Sequence, residues 1–280
     1  MSRPRSRLLL QRAAGRHPRI AIGAATALGR VTGPLGLGLD EAAIRRFLPA
    51  LPPAQVTRLR RETWTGWLRL RVLEAGLASP TARWPYPPLA GDADPALLQP
   101  PMVLAAFHLG PLPALGILLE QLPGEVLVLQ LSGNARKRLV VGWTGTEEWQ
   151  RAAALRRAVS TLRAGGFVVL LVDANEFPTT IDVTLFGRTT RLARGAFALA
   201  RMTGSPLVPI APRWRGWRVE ITVGDPIPPG DETAMAAATA GWLERFVRAN
   251  PQTLGRMFVD SFWGDDEPPR APGAPGTPSA

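Results

Sequence analysis

The sequence predicts an α/β protein: a central, mostly parallel sheet flanked by helices, with an N-terminal helical extension. Three observations predict it. From Met102 onward, apolar runs of strand length alternate with stretches of helical periodicity. Gly, Pro, Asn and Asp punctuate the changeovers. Up to about residue 80, by contrast, the apolar residues recur at helical spacing only.

Leu39-Asp40-Glu41 opens a helical stretch with Ile44, Phe47 and Leu48 on one side and Arg45 and Arg46 on the other, and Pro52-Pro53 ends it. The next helix is expected from Val56 to Leu77, with Leu59, Thr63, Trp67, Leu70 and Leu73 at helical spacing and a basic surface of Arg58, Arg60, Arg61, Arg69 and Arg71. Residues 81–101 are Pro-rich and read as a connector. A strand from Met102 to Phe107 precedes a helix around Leu115 to Gln121. A strand over Glu125 to Leu131 precedes the polar loop 132–138. A helix from about Glu147 ends at Gly165-Gly166, and the strand after it ends in Asp173. Ile181 to Phe186 reads as a short strand before Gly187-Arg188. A helix follows from about Arg194 to Met202, then strands over 206–211 and 217–223, and a last helix over 233–249. Residues 264–280 are rich in Pro and Gly and are expected to be disordered. The expected division is therefore 1–80 helical and membrane-proximal, 81–101 connector, 102–263 α/β domain and 264–280 tail.

Composition narrows the function. The chain is 46% hydrophobic and 20% charged, which supports a sizeable core and excludes wholesale disorder. Its net charge of +11 is carried by arginine, since Lys137 is the only lysine, and points to anionic partners. With no cysteine there are no disulfides, thiolate nucleophiles or cysteine-held metals. His17 and His108 are the only histidines and lie far apart in sequence, which argues against a His-based zinc site. No Gly-x-Ser-x-Gly elbow appears. No nucleic-acid-binding module is recognisable despite the charge. No uncharged apolar span reaches the ~20 residues a membrane crossing needs. The N-terminus instead combines Arg3, Arg5, Arg7, Arg12, Arg16 and Arg19 with Leu8-Leu9-Leu10. It fits either a segment lying on an anionic membrane surface or a helix packed on the domain.

His108 is the leading candidate for chemistry. It follows an apolar strand and precedes Gly110-Pro111, at the carboxyl edge where α/β sheets bind ligands. There it either lines the mouth of an apolar pocket or caps the strand from the core. Asp173 ends another strand and could emerge at the same edge. Arg136 and Arg138 follow a strand, and Arg188, Arg191 and Arg194 flank a helix start; together they could hold the anionic parts of substrates. Trp143, Trp149, Trp214 and Trp217 read as core or membrane-interface anchors.

Asp173 to Arg188 reads Asp-Ala-Asn-Glu-Phe-Pro-Thr-Thr-Ile-Asp-Val-Thr-Leu-Phe-Gly-Arg. It is followed by the small-residue stretch Leu192 to Ala200 and by Thr203-Gly204-Ser205-Pro206-Leu207-Val208-Pro209. This block resembles the lysophospholipid acyltransferase superfamily, in particular its lipid A biosynthesis branch. Asn250-Pro251-Gln252 and Phe258 to Trp263 resemble the family's end. The resemblance implies an acyltransferase that moves a fatty acyl group from an acyl-carrier-protein or acyl-coenzyme A thioester to a hydroxyl of a lipid or glycolipid. It implies no cofactor beyond the thioester, contact with anionic membrane lipids but no nucleic acid, and a place on the cytoplasmic face of the bacterial inner membrane. His108 matches the histidine of the family's His-x4-Asp/Glu motif, the general base on the acceptor hydroxyl. The acid position holds Pro113. Either Asp173 or Glu176 replaces that acid, with Asp173 the preferred catalytic partner and Glu176 grouped with the substrate-binding arginines, or the chain is a catalytically impaired relative that binds lipid or acyl chains.

Overall fold

The computed structural model describes residues 14–35, 38–77, 98–119, 122–129, 140–142, 148–173 and 179–263. The N-terminal arginines up to Arg12, the connector up to residue 97, Arg136, Arg138, Trp143, Glu176 and the tail 264–280 lie outside the described residues.

Three helices come first: α1 (Pro18–Thr32), α2 (Glu41–Phe47) and α3 (Pro53–Leu77). Asp40 caps α2, its carboxylate accepting the Ala43 N–H at 2.6 Å. The third helix starts at Pro53, three residues before the sequence-based expectation, because proline is favourable at a first helical position, where its missing N–H has no partner to lose. Gly29 lets α1 lie close against α3: a Cβ there would be 2.6 Å from Thr65 Oγ1 and 2.9 Å from Thr65 Cα. Trp214 and Trp217 pack against this helical pair, and the Arg19 guanidinium sits 4.3 Å from the Trp217 ring centroid. Both tryptophans are thus partly buried anchors between the N-terminal helices and the sheet.

The α/β part follows as β1 (Met102–Ala106), α4 (Leu115–Leu119), β2 (Val126–Leu129), β3 (Val140–Gly142), α5 (Glu148–Arg163), β4 (Phe167–Leu171), β5 (Thr180–Leu185), β6 (Arg188–Ala193), α6 (Gly195–Thr203), β7 (Leu207–Arg215), β8 (Arg218–Val223), α7 (Glu232–Ala249) and α8 (Arg256–Trp263). Six strands form one sheet in the order β3-β2-β4-β1-β7-β8. All neighbours are parallel except the edge pair β7–β8. Strand β1 lies between β4 and β7 and is wholly buried, as a continuous apolar run requires. Its side chains alternate between faces. Val103, Ala105 and Phe107 join a core shared with α5, α6, α7, α8 and α2, whereas Met102, Leu104 and Ala106 join a second core under α4.

Three strands depart from the expectation. β5 pairs antiparallel with β6, in a hairpin separate from the main sheet. β6 was not visible in the sequence because its first residues, Arg188, Thr189 and Arg191, are polar and exposed. β3 is a three-residue edge strand, too short for its pattern to register.

Candidate active site

The sheet itself brings the two leading candidates together. The β1–β4 register pairs Met102 with Phe167 and Ala106 with Leu171. Two residues further along the same register, His108 stands opposite Asp173, and the Val172 N–H still bonds the Ala106 carbonyl at 3.0 Å. Parallel strands end at the same edge, so both side chains emerge there.

Asp173 has no exposed side-chain surface, and the His108 ring keeps 16%. The carboxylate grips one residue twice: Oδ2 accepts the His108 backbone N–H at 2.7 Å, and Oδ1 lies 3.1 Å from Nδ1. A buried carboxylate needs such donors to remain in place. With Nδ1 as the donor in this contact, Nε2 is the basic nitrogen of the neutral ring. A general base needs one nitrogen held by a carboxylate that stabilises the imidazolium, and Asp173 meets that requirement at Nδ1.

The loop after His108 is equally fixed. Gly110 has a φ of +52°, and a Cβ there would collide with the Pro212 carbonyl oxygen, so only glycine fits. Its N–H donates to the Thr253 carbonyl at 2.9 Å. Pro113 sits half-buried in the 3-10 turn Leu112–Ala114 and offers no acceptor side chain.

The arginines divide. Arg194 bonds the buried Glu232 through Nε and Nη2, and Arg201 bonds the same carboxylate at 2.7 Å. The Arg194 hydrogen bond, and after it the charges of Arg194 and Arg201, hold the Glu232 carboxyl below the usual carboxylate range against the opposing effect of burial. The Arg194 guanidinium is thus engaged with α7 through Glu232. Arg191 is exposed on β6 opposite Asp182. β6 reaches the site at its end, where the Ala193 N–H bonds the Val172 carbonyl at 2.8 Å. At about 3.3 Å per residue, Arg191 stands roughly 7 Å along the strand from that point and Arg188 roughly 17 Å. The structure therefore joins His108 and Asp173, sets Arg191 nearby, and sends Arg188 to the far end of the hairpin.

A cavity of about 650 Å³ opens elsewhere, among α2, α3 and the start of α8, lined by Leu39, Arg46, Trp64, Trp67, Leu254 and Val259 among others; His108 does not line it. Among the described residues no group of acidic or histidine side chains could hold a metal ion.

Residues 142–254 match the family of bacterial lipid A biosynthesis acyltransferases. The match includes Asp173 and begins after His108. A crystal structure of the 1-acyl-sn-glycerophosphate acyltransferase from Thermotoga maritima is similar over 82% of this chain and 96% of that one, at 14% identity and a TM-score of 0.38. No curated protein matches the chain. The matched region and the resemblance carried by the block from Asp173 to Pro209 coincide: this part of the chain is similar to the bacterial lipid A biosynthesis acyltransferases.

Proposed function

We propose that the protein transfers a fatty acyl group from an acyl-carrier-protein or acyl-coenzyme A thioester to a hydroxyl of a lipid or glycolipid, on the cytoplasmic face of the bacterial inner membrane, with His108 as general base and Asp173 as the carboxylate that orients it. The observation that carries this reading is the pair of hydrogen bonds that the Asp173 carboxylate accepts from His108. On this reading Asp173, two residues beyond β4, takes the role that Pro113 cannot fill.

In the proposed reaction, Nε2 of His108 removes the acceptor hydroxyl proton as that oxygen attacks the thioester carbonyl. The tetrahedral intermediate collapses, the C–S bond breaks, and the leaving thiolate takes the proton back from the imidazolium. The ester is formed, the thiol is released and the histidine is neutral again, with no covalent acyl-enzyme. Asp173 stabilises the imidazolium while it lasts. Arg191, on the exposed face of β6, is suited to the phosphate of the donor's carrier arm, as a guanidinium offers planar paired donors. Arg188, Arg136, Arg138 and Glu176 are kept as contacts to the outer parts of donor or acceptor.

Association with the membrane is supported by α1. Ile20, Leu28 and Val31 are exposed by 72%, 52% and 77%, and Leu35 just beyond the helix by 70%. At this spacing the three helical residues share one face, turned away from the face that buries Ile22 and Ala25. Arg16, Arg19 and Arg30 flank them and can meet anionic headgroups. Among the described residues no helix is long and apolar enough to cross a membrane.

The test is transfer of a radiolabelled acyl group from lauroyl-coenzyme A and from lauroyl-acyl-carrier protein to a detergent-dispersed Gram-negative lipid extract. Turnover by wild type that His108→Ala lowers by at least about 10²-fold supports the reading. Full activity in His108→Ala would sink it. An inactive wild type that still binds the lipids would favour an impaired lipid-binding relative.

A further inference from the structure

We infer that Asn250 is a positioning residue for His108, acting through the slot that holds Gly110. The inference rests on the reading of His108 as general base and adds a residue to it. Asn250 ends α7, is 6% exposed, and uses all its polar groups. Its side-chain Nδ2 donates to the Phe246 carbonyl at 3.0 Å, and its Oδ1 accepts from Arg213 Nη1 at 3.0 Å. Its own carbonyl accepts Thr253 Oγ1 at 2.7 Å and the Thr253 N–H at 3.0 Å, closing the short turn Pro251–Thr253.

Asn250 links the two walls of the Gly110 slot. One wall is the Thr253 carbonyl, which accepts the Gly110 N–H. The other is the Pro212 carbonyl on β7, set against the glycine α-carbon. Arg213 follows Pro212 directly, and its guanidinium is steadied by the buried Glu220 at 3.1–3.2 Å before it reaches Asn250. The Asn250–Arg213 bond therefore fixes the spacing between the turn and β7. Gly110 lies between them, two residues after His108. The loop is thus clamped at both ends, by Asp173 on His108 and by this slot on Gly110. Loosening the second clamp lets the ring drift from Asp173, and misplacement by about 1 Å costs up to about 10²-fold in rate.

With only two histidines in the chain, imidazole ¹⁵N NMR on the full-length protein reads His108 directly, the His17→Gln variant removing the other signal. Wild type is expected to show His108 as the Nδ1–H tautomer. Asn250→Ala and Arg213→Gln are each expected to mix the tautomers, whereas Asn250→Asp, which keeps an acceptor for Arg213, retains the wild-type pattern. With lauroyl-coenzyme A as donor and the same lipid extract as acceptor, Asn250→Ala is expected to lose about 10–10²-fold in kcat with KM changed less than about twofold. Folding of each variant is checked by circular dichroism, and Arg213→Gln stands in if Asn250→Ala does not fold. A folded Asn250→Ala or Arg213→Gln with the pure Nδ1–H tautomer would overturn the inference. A wild type without turnover would overturn only the reading of His108 as a base, because the NMR result still decides whether Asn250 positions the ring.

Discussion

A carboxylate with no exposed surface, such as Asp173, is held in the folded chain by hydrogen-bond donors, and among the described residues His108 supplies two of them. On the proposed reading, this pairing is what lets the chain carry Pro113 where the family motif has an acid. Glu232 shows the same physics away from the site. Its folded pKa is lowered chiefly by the Arg194 hydrogen bond, so the stabilisation is present above the unfolded carboxyl value, near about 4.3, and is lost as pH falls through the lower folded value. Glu232→Gln should accordingly melt about 2–4 °C below wild type at pH 7, and the gap should shrink as the pH drops below about 4. Thermal scans across pH check this; a gap that widens on acidification would contradict it.

At the scale of elements, the packing of α1 on α3 depends on Gly29, whose missing Cβ leaves room for Thr65. Gly29→Leu should force the helices apart and cost about 1–3 kcal/mol, read by urea unfolding, with faster proteolysis ahead of Asp40. An unchanged midpoint would show that the helical pair adds nothing to the fold. The elements also show what a sequence reveals. β1 and β4 were legible because buried parallel strands must be continuous apolar runs. Their adjacency was not, since strand order is fixed by crossovers and by how the helices cover the two faces. His108 and Asp173 could be nominated as strand-end residues, but the shared register that sets them opposite each other is a tertiary fact. Asn250 was visible only as part of an Asn-Pro-Gln string. Its role depends on Arg213, a charged residue within β7 that bonds Glu220 on β8 and Asn250 at the end of α7.

On the scale of the whole molecule, the chain presents an arginine-flanked apolar face on α1 at one place and a partly buried histidine–aspartate pair at a sheet edge in another. Vesicles of phosphatidylethanolamine and phosphatidylglycerol should bind the protein, with binding weakened by salt because headgroup attraction is screened. The double variant Ile20→Gln, Val31→Gln should lose at least about 1.4 kcal/mol of binding, a tenfold change, since it removes two exposed apolar side chains from the interface. Sedimentation with vesicles reads this directly, and equal binding by wild type and variant would place the contact elsewhere.

The central claim is that Asp173 does the work of the missing motif acid, and the most direct measurement is kcat for acyl transfer by Asp173→Asn against wild type, with folding verified by circular dichroism. Loss of the equivalent carboxylate in a catalytic triad costs about 10⁴-fold, and a loss between about 10² and 10⁴ is expected here. A folded Asp173→Asn that turns over within about twofold of wild type would contradict the account.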